Sequence, residues 1–221
     1  MGAHGPVLSQ PLLGVSRSKM STSRYVSALA LAAALACDMG NASAEEFRQS
    51  VSIGPAWTGI NLDLGYGTKL DGMSGISVQY KLENRDTPVG LVVTYTHTSS
   101  SDDASMRYQE SGLVADVSIG AKLTYNALTA GPSFRFNKYL TGYLQAGIAK
   151  GEGRGKVRGQ VTDGVDTAVV SGKVKADDTA PVAGFGMHIQ PTRHIFIRAS
   201  YDYAAGDLKS DTFSVGLGYM F

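Results

Sequence analysis

The last ten residues of the chain constrain its fold more than any other stretch. In residues 212–221, TFSVGLGYMF, every second side chain is apolar or aromatic and most of those between are small. The apolar set is Phe213, Val215, Leu217, Tyr219 and Phe221. This two-residue period predicts a strand with one apolar face. A strand that closes a transmembrane barrel places large apolar side chains toward lipid and small ones inside, so the segment favours a barrel over the terminal strand of a soluble sandwich.

The overall hydropathy of the chain is compatible with such a barrel. Hydrophobic residues make up 43% of the 221 positions, and the mean hydropathy is −0.05. Because barrel strands alternate, they average to a neutral value and give no long apolar run. The 27 Gly and 11 Tyr suit curved strands and membrane interfaces.

Residues 1–44 are predicted to be an N-terminal extension followed by a cleaved signal peptide. Arg24 is the basic flank, residues 25–37 form the apolar core, and Ala42-Ser43-Ala44 is a small-x-small cleavage site. Both Met1 and Met20 remain possible starts. The barrel domain would then be 45–221, in a protein exported to the bacterial outer membrane.

Export would leave a chain without cysteine and with little net charge. Cys37, the only cysteine, lies in the leader, and lipidation there is an alternative to cleavage at Ala44. Loss of the leader removes three basic residues and one acid from the 20 and 19 of the full chain, so the net charge becomes about −1. Nucleic acid is therefore not expected as a partner.

Alternation elsewhere predicts seven further strands, and the fold class is an all-β, eight-stranded antiparallel transmembrane β-barrel. The predicted strands are 51–56, 76–83, 89–96, 128–136, 140–149, 182–189, 195–203 and 212–221. Short turns follow the second, fourth and sixth strands. Longer external loops are predicted at about 58–75, 99–122, 151–178 and 204–211, although the second half of 99–122 is compatible with a strand continuing beyond the membrane. Short turns on one side and long loops on the other are typical of outer-membrane barrels.

Two prolines, Pro55 and Pro132, fall within predicted strands, and Pro181 directly precedes one. Since proline cannot donate to a β-ladder, we expect bulges or strand ends there.

The same alternation places a polar set inside the barrel. Its members are Lys81, Glu83, Arg135, Gln145, Arg198 and Asp202, with His188 nearby. An eight-stranded barrel is only wide enough for its own side chains. We therefore interpret the set as a paired polar core rather than as a path for conduction.

Four segments resemble the Ail/Lom family of small outer-membrane barrels, which includes OmpX-like and PagC-like proteins. They are GISVQYKLE at 75–83, PVGLVVTYTH at 88–97, YNALTAGPSFRF at 125–136 and DTFSVGLGYMF at 211–221. The resemblance implies an eight-stranded barrel often linked to virulence, through adhesion to host cells or matrix or through complement and serum resistance, with host matrix proteins, glycans or complement regulators as partners. The loops match the family pattern poorly, so no binding residue is carried over.

The third long loop holds a basic cluster. The candidate contacts are Lys150, Arg154, Lys156, Arg158, Lys173 and Lys175. Such a cluster suits sulfated host glycans, anionic matrix proteins, or the phosphates of neighbouring lipopolysaccharide. The alternative is a solvated loop without a ligand, because acidic residues in the same stretch lower its net field.

Other classes of function have weaker signals. His97, close to Ser99–Ser101 and to Asp102 and Asp103, can be drawn as a catalytic triad, but adjacency in a polar loop is weak evidence. For this reason we do not expect the protein to be an enzyme. We also expect no cofactor and no metal, because the chain has neither a metal-ligand spacing nor a nucleotide-binding fingerprint. A monomer in contact with outer-membrane lipids is predicted, and a structural envelope protein or narrow channel is the alternative function.

Overall fold

Eight antiparallel strands form a closed ring in chain order. The computed structural model describes residues 47–61, 72–110, 113–162, 167–205 and 209–221. The strands are β1 (Phe47–Asn61), β2 (Met73–Asn84), β3 (Val89–Glu110), β4 (Leu113–Arg135), β5 (Leu140–Thr162), β6 (Thr167–Ile189), β7 (Ile195–Ala204) and β8 (Lys209–Met220). Each pairs with its neighbours, and β1 pairs with β8. The predicted barrel is thus confirmed, whereas the predicted leader and cleavage site lie outside the described residues.

The closing strand alternates as its sequence predicts. Ser210, Thr212 and Ser214 are buried, whereas Phe213 and Leu217 are 48% and 62% exposed. Antiparallel pairing with β1 runs from Ser50↔Met220 to Asn61↔Lys209. Closure through this pairing leaves neither β1 nor β8 as an open edge of the ring.

The outer surface of the barrel is apolar, and a row of aromatic side chains lies at its border. Leu144 and Ile148 are 65% and 63% exposed. Trp57, Phe213, Tyr201 and Phe185 occupy paired positions on four adjacent strands, with Trp57 stacked on Phe213 at 6.2 Å between ring centroids. An apolar surface bordered by aromatic rings is the surface that a bilayer covers.

No helix among the described residues is long and apolar enough to cross a membrane.

The short turns fall where they were predicted, at 85–88, 136–139 and 190–194. Side chains satisfy their backbone amides. The Asn137 Oδ1 accepts hydrogen bonds from the amides of Tyr139 and Leu140 at 2.8 and 3.0 Å, and Thr192 Oγ1 accepts one from Ile195 N at 3.0 Å. These are the local bonds for which Asn and Thr are favoured in turns.

Two of the four predicted long loops are mainly strand, which corrects the boundaries drawn at 99–122 and 151–178. The strands β3 and β4 cover all of 99–122 except 111–112, and β5 and β6 cover all of 151–178 except 163–166. Both stretches have polar residues on both faces, so paired backbone forms there without the apolar alternation that marks a strand in sequence. The predicted loops 58–75 and 204–211 shrink to 62–72 and 205–208, of which 62–71 and 206–208 lie outside the described residues.

The described chain divides into two compact units. One contains 47–61, 72–100 and the described residues of Leu123–Glu152 and Ala176–Phe221, and it includes the barrel wall and its interior. The other contains Ser101–Lys122 and Gly153–Lys175, which belong to β3, β4, β5 and β6.

Pro55 lies within β1 without the bulge expected there. The β1–β8 pairs Ile53↔Leu217 and Ala56↔Ser214 on either side of it keep one register, and Pro55 is paired with Ile76 on its other side. Pro132 is likewise internal to β4. Pro181 lies next to Val182↔Ala204, where pairing of β6 with β7 begins, and its carbonyl accepts a hydrogen bond from Ala205 N at 3.0 Å.

Candidate functional site

A groove on the extended parts of β3 to β6 contains half of the predicted basic cluster. Lys156, Arg158 and Lys173 line it. Its volume is about 560 Å³, and the other lining residues are Asp103, Ser105, Ser118, Ile119, Gly120, Val157, Ser171 and Gly172. All of these residues belong to the unit formed by Ser101–Lys122 and Gly153–Lys175.

Strand alternation explains why these side chains meet. Lys156 and Arg158 are two residues apart on β5, so they share a face of that strand. Ser171 and Lys173 do the same on β6, as do Ser118 and Gly120 on β4. The four strands are neighbours in the sheet, and their pairing places residues that are distant in sequence around one groove.

Two contacts within the groove involve the small residues Ser118 and Gly120. Ser118 Oγ donates a hydrogen bond to the Arg158 carbonyl at 3.4 Å. The Asp103 carboxylate lies over Gly120, since a Cβ added there would be 2.7 Å from Asp103 Oδ1. The groove therefore has three cations and one acid around hydroxyl and backbone groups, an arrangement suited to an anionic ligand with several acceptor oxygens.

The other three predicted cations are placed differently. Lys150 Nζ pairs with Glu152 Oε1 at 3.3 Å and is 51% exposed. Arg154 is exposed and has an interaction partner of its own. Lys175 is exposed but does not line the groove.

Sequence reasoning missed Asp103, Ser118, Gly120 and Ser171 as groove residues. Only Ser118 and Gly120 show a recognisable pattern, two small residues at alternate positions, and which strand lies opposite them depends on pairing register.

Inside the barrel, charged side chains pair with one another. Lys81 Nζ donates to Glu83 Oε2 at 3.0 Å, and each side chain is 2% exposed. Arg135 Nε lies 3.5 Å from Glu83 Oε1 and is 21% exposed. Of the predicted lumen set, Arg135 thus lies at the edge of the interior, and Lys81 and Glu83 lie within it.

Two of the remaining predicted lumen residues, Gln145 and Asp202, belong to a hydrogen-bonded chain in the interior, and the third, Arg198, bonds to the backbone. Gln79 Nε2 donates to Thr94 Oγ1 and Thr94 Oγ1 to Gln145 Oε1, each at 2.9 Å. Gln145 then donates to Asp202, while Arg198 Nη2 donates to the Ser77 carbonyl at 3.3 Å.

Aromatic rings occupy the same interior as these polar groups. The ring of His188 lies 4.9 Å from those of Tyr143 and Phe196 between centroids. Phe196 is also 5.8 Å from Lys81 Nζ. Side chains of β2, β5, β6 and β7 thus pack against one another in the interior.

The sequence neighbours of His97 do not form a triad around it. Its Nδ1 lies 2.7 Å from Asn126 Oδ1 on β4, an oxygen that also accepts a hydrogen bond from the Tyr95 hydroxyl. Within the described ranges, no group of three or more His, Cys, Asp or Glu side chains has the proximity needed to hold a metal ion.

A closed ring of eight antiparallel strands, apolar outside and polar inside, defines a small transmembrane β-barrel. Residues 28–221 match the family described as outer membrane protein beta-barrel domain, and the chain belongs to that family. The Ail/Lom resemblance is also confirmed by individual relatives.

Two curated relatives and one solved structure carry that resemblance. The attachment invasion locus protein of Yersinia enterocolitica is 28% identical over 173 residues, which is 78% of this chain and 85% of the relative. The outer membrane protein lom of Escherichia phage lambda is 26% identical over 164 residues, 71% of this chain and 78% of the relative. A crystal structure of Ail, the attachment invasion locus protein of Yersinia pestis, in complex with the heparin analogue sucrose octasulfate, is 27% identical. It has a TM-score of 0.59 and covers 80% of this chain and 99% of that one. None of these names is that of an enzyme.

Proposed function

We propose that this chain is a surface recognition protein that binds sulfated host polysaccharide through the groove on β3 to β6. The observation that carries the proposal is the convergence of Lys156, Arg158 and Lys173 on one groove. The Yersinia pestis relative was crystallised with a heparin analogue, which supports the same ligand class here.

The chemistry of the groove suits sulfate esters. Sulfate groups carry permanent negative charge and several acceptor oxygens, which match guanidinium and ammonium donors. The hydroxyls of Ser105 and Ser171 add neutral donors along the same groove. The Asp103 carboxylate repels anionic groups at one side of the groove. It therefore favours ligands whose negative groups are separated from one another over ligands with continuous negative charge.

In this proposal the long strand pairs β3–β4 and β5–β6 are external, and the protein acts as a monomer without catalytic activity or cofactor. Attachment to host cells or matrix and resistance to serum are the expected biological consequences. Names such as attachment invasion locus protein among the relatives support the first of these.

A second candidate ligand is lipopolysaccharide phosphate at Lys150. Lys150 follows Ile148 by two residues on β5, so it shares the strand face on which Ile148 is 63% exposed. A half-exposed ammonium group immediately beyond a lipid-facing side chain is well placed for a lipid phosphate.

Binding of the purified full chain to immobilised heparin tests the main proposal. The variant K156Q/R158Q/K173Q should elute at clearly lower salt than the wild type, because three ligand-facing charges are lost. The matched control K122Q/K175Q/K209Q removes three exposed cations that do not line the groove and should elute like the wild type. If both variants elute at equally lowered salt, heparin binding depends only on the net charge of the protein, and the groove is not the binding site. Lys150→Gln, tested for retention of lipopolysaccharide, separates the second candidate from the first.

A further inference from the structure

The three short turns bring cations to one cavity that the function proposed above does not use. Arg85, Lys138 and Arg193 lie on the turns 85–88, 136–139 and 190–194, one cation to each turn. Together with Arg48 at the start of β1, they line a cavity of about 660 Å³. Tyr139, His194 and Phe221 are also among the lining residues.

The charge of this cavity is uncompensated by acidic side chains. No Asp or Glu belongs to its described lining residues. Asp86 lies on the first turn and is exposed, but it does not line the cavity. Its backbone amide donates a hydrogen bond to Asn84 Oδ1. In the described part of the chain, Arg85, Lys138 and Arg193 form no ion pair. Four like charges around one cavity attract an anion more strongly than isolated surface cations do.

The turns that hold these cations are fixed by hydrogen bonds. Arg135 Nη2 donates to the carbonyls of Arg85 and Thr87, each at 3.3 Å. Gln190 N donates to the Tyr139 carbonyl at 2.8 Å, joining the second turn to the third, and Gln190 Nε2 donates to the Arg193 carbonyl at 3.2 Å. A site on such a fixed backbone loses less conformational entropy when a ligand binds.

Exposed aromatic rings next to the cations indicate the rest of the ligand. Tyr139 is 54% exposed and Phe221 is 50% exposed. Lys138 Nζ lies 4.9 Å from the Tyr139 ring centroid, and His194 stacks on Tyr219 at 5.8 Å between centroids. Aromatic rings beside cations are typical of the depth at which lipid headgroups lie.

We propose that this cavity binds the phosphodiester headgroup of an anionic glycerophospholipid at the short-turn end of the barrel. Guanidinium groups bind phosphate through two parallel hydrogen bonds, and the aromatic rings contact the adjoining glycerol and upper acyl chains. A free phosphate ester shares the charge but has no apolar part, so the rings favour the lipid.

The test uses the full chain in nanodiscs that mix phosphatidylglycerol with phosphatidylcholine. Native mass spectrometry measures which lipid stays bound after release from the disc. The wild type should retain phosphatidylglycerol in preference. R85Q/K138Q/R193Q should lose that preference by at least about tenfold, because each surface cation adds separately to the attraction of anionic lipid. K156Q/R158Q/K173Q, with the same change in charge, should behave like the wild type.

Four results would overturn the proposal. Three of them come from the comparison of lipids: no preference in the wild type, an unchanged preference in R85Q/K138Q/R193Q, and an equal loss in both triple variants. The fourth is displacement of the bound lipid by glycerol 1-phosphate at equal concentration, which would mean that the headgroup phosphate alone is recognised. Gel mobility with and without boiling confirms that each variant is folded, and the single variant Arg193→Gln replaces the triple one if it does not fold. Because heparin binding is tested on other residues, either proposal can fail without the other.

Discussion

The charged groups of Lys81 and Glu83 meet at 3.0 Å inside the barrel, two residues apart on the same face of β2. Arg135 adds a second cation 3.5 Å from the other Glu83 oxygen. One carboxylate thus compensates two cations in an interior where an unpaired charge is costly.

Removal of that carboxylate should destabilise the barrel more than removal of either cation. Glu83→Gln leaves Lys81 and Arg135 without their acid, and we expect a loss of about 3–5 kcal/mol in the free energy of unfolding. Lys81→Met leaves Glu83 paired with Arg135 and should cost less. Urea unfolding in lipid vesicles measures both changes, with Asp86→Asn as an exposed control of the same charge change. A larger loss for Lys81→Met than for Glu83→Gln would contradict this account.

A methyl group at Gly147 should disturb the barrel wall. A Cβ there would lie 2.0 Å from the Leu128 carbonyl oxygen, and this backbone atom of a paired strand has little freedom to move. Gly147→Ala should therefore cost at least about 1–3 kcal/mol and reduce the fraction of protein that shows heat-modified mobility. Gly159→Ala is the control, because nothing lies within 4 Å of its added Cβ. The same result for both variants would mean that close packing at Gly147 does not matter.

Exposed apolar residues of the two units should respond differently to charge. Leu144 is 65% exposed on the barrel wall, and Val170 is 73% exposed on the extended part of β6. Leu144→Lys should cost about 2–4 kcal/mol if the side chain is near the middle of the bilayer, whereas Val170→Lys should change stability by less than about 0.5 kcal/mol, as in water. Unfolding of both variants from lipid vesicles measures the difference. Similar costs would place Val170 in lipid and contradict the external position proposed for the strand pair β5–β6.

Loss of the acid in the groove should strengthen polyanion binding. Asp103→Asn removes the negative charge beside Lys156, Arg158 and Lys173, and we expect up to about fivefold tighter heparin binding, the scale of an exposed charge pair. Asp102→Asn makes the same change in net charge one residue away, on the opposite face of β3, and should have a smaller effect. Titration with heparin oligosaccharide at fixed salt compares the two. An equal gain would indicate a general field effect without a defined site.

Period-two alternation was sufficient to predict all eight strands, their order and the short turns, because each strand of the wall has lipid on one face and a packed interior on the other. That contrast disappears in 99–122 and 151–178, where the sequence suggested loops and the structure has strands. Lys81 and Glu83 were predictable as interior residues for the same reason. The convergence of Lys156 with Lys173, or of Arg85 with Arg193, depends on pairing between strands, and single-strand periodicity carries no information about it.

The seam between β1 and β8 has a consequence for how the molecule assembles. Gln49 and Phe221 exchange backbone hydrogen bonds at 3.3 and 3.0 Å, so the ring is joined by residues from nearly opposite ends of the described chain. No partial chain emerging in order can make this contact, and loop closure over such a distance is slow. The ring therefore cannot close until residues 209–221 are available to pair with β1, whichever local strand pairs have formed by then.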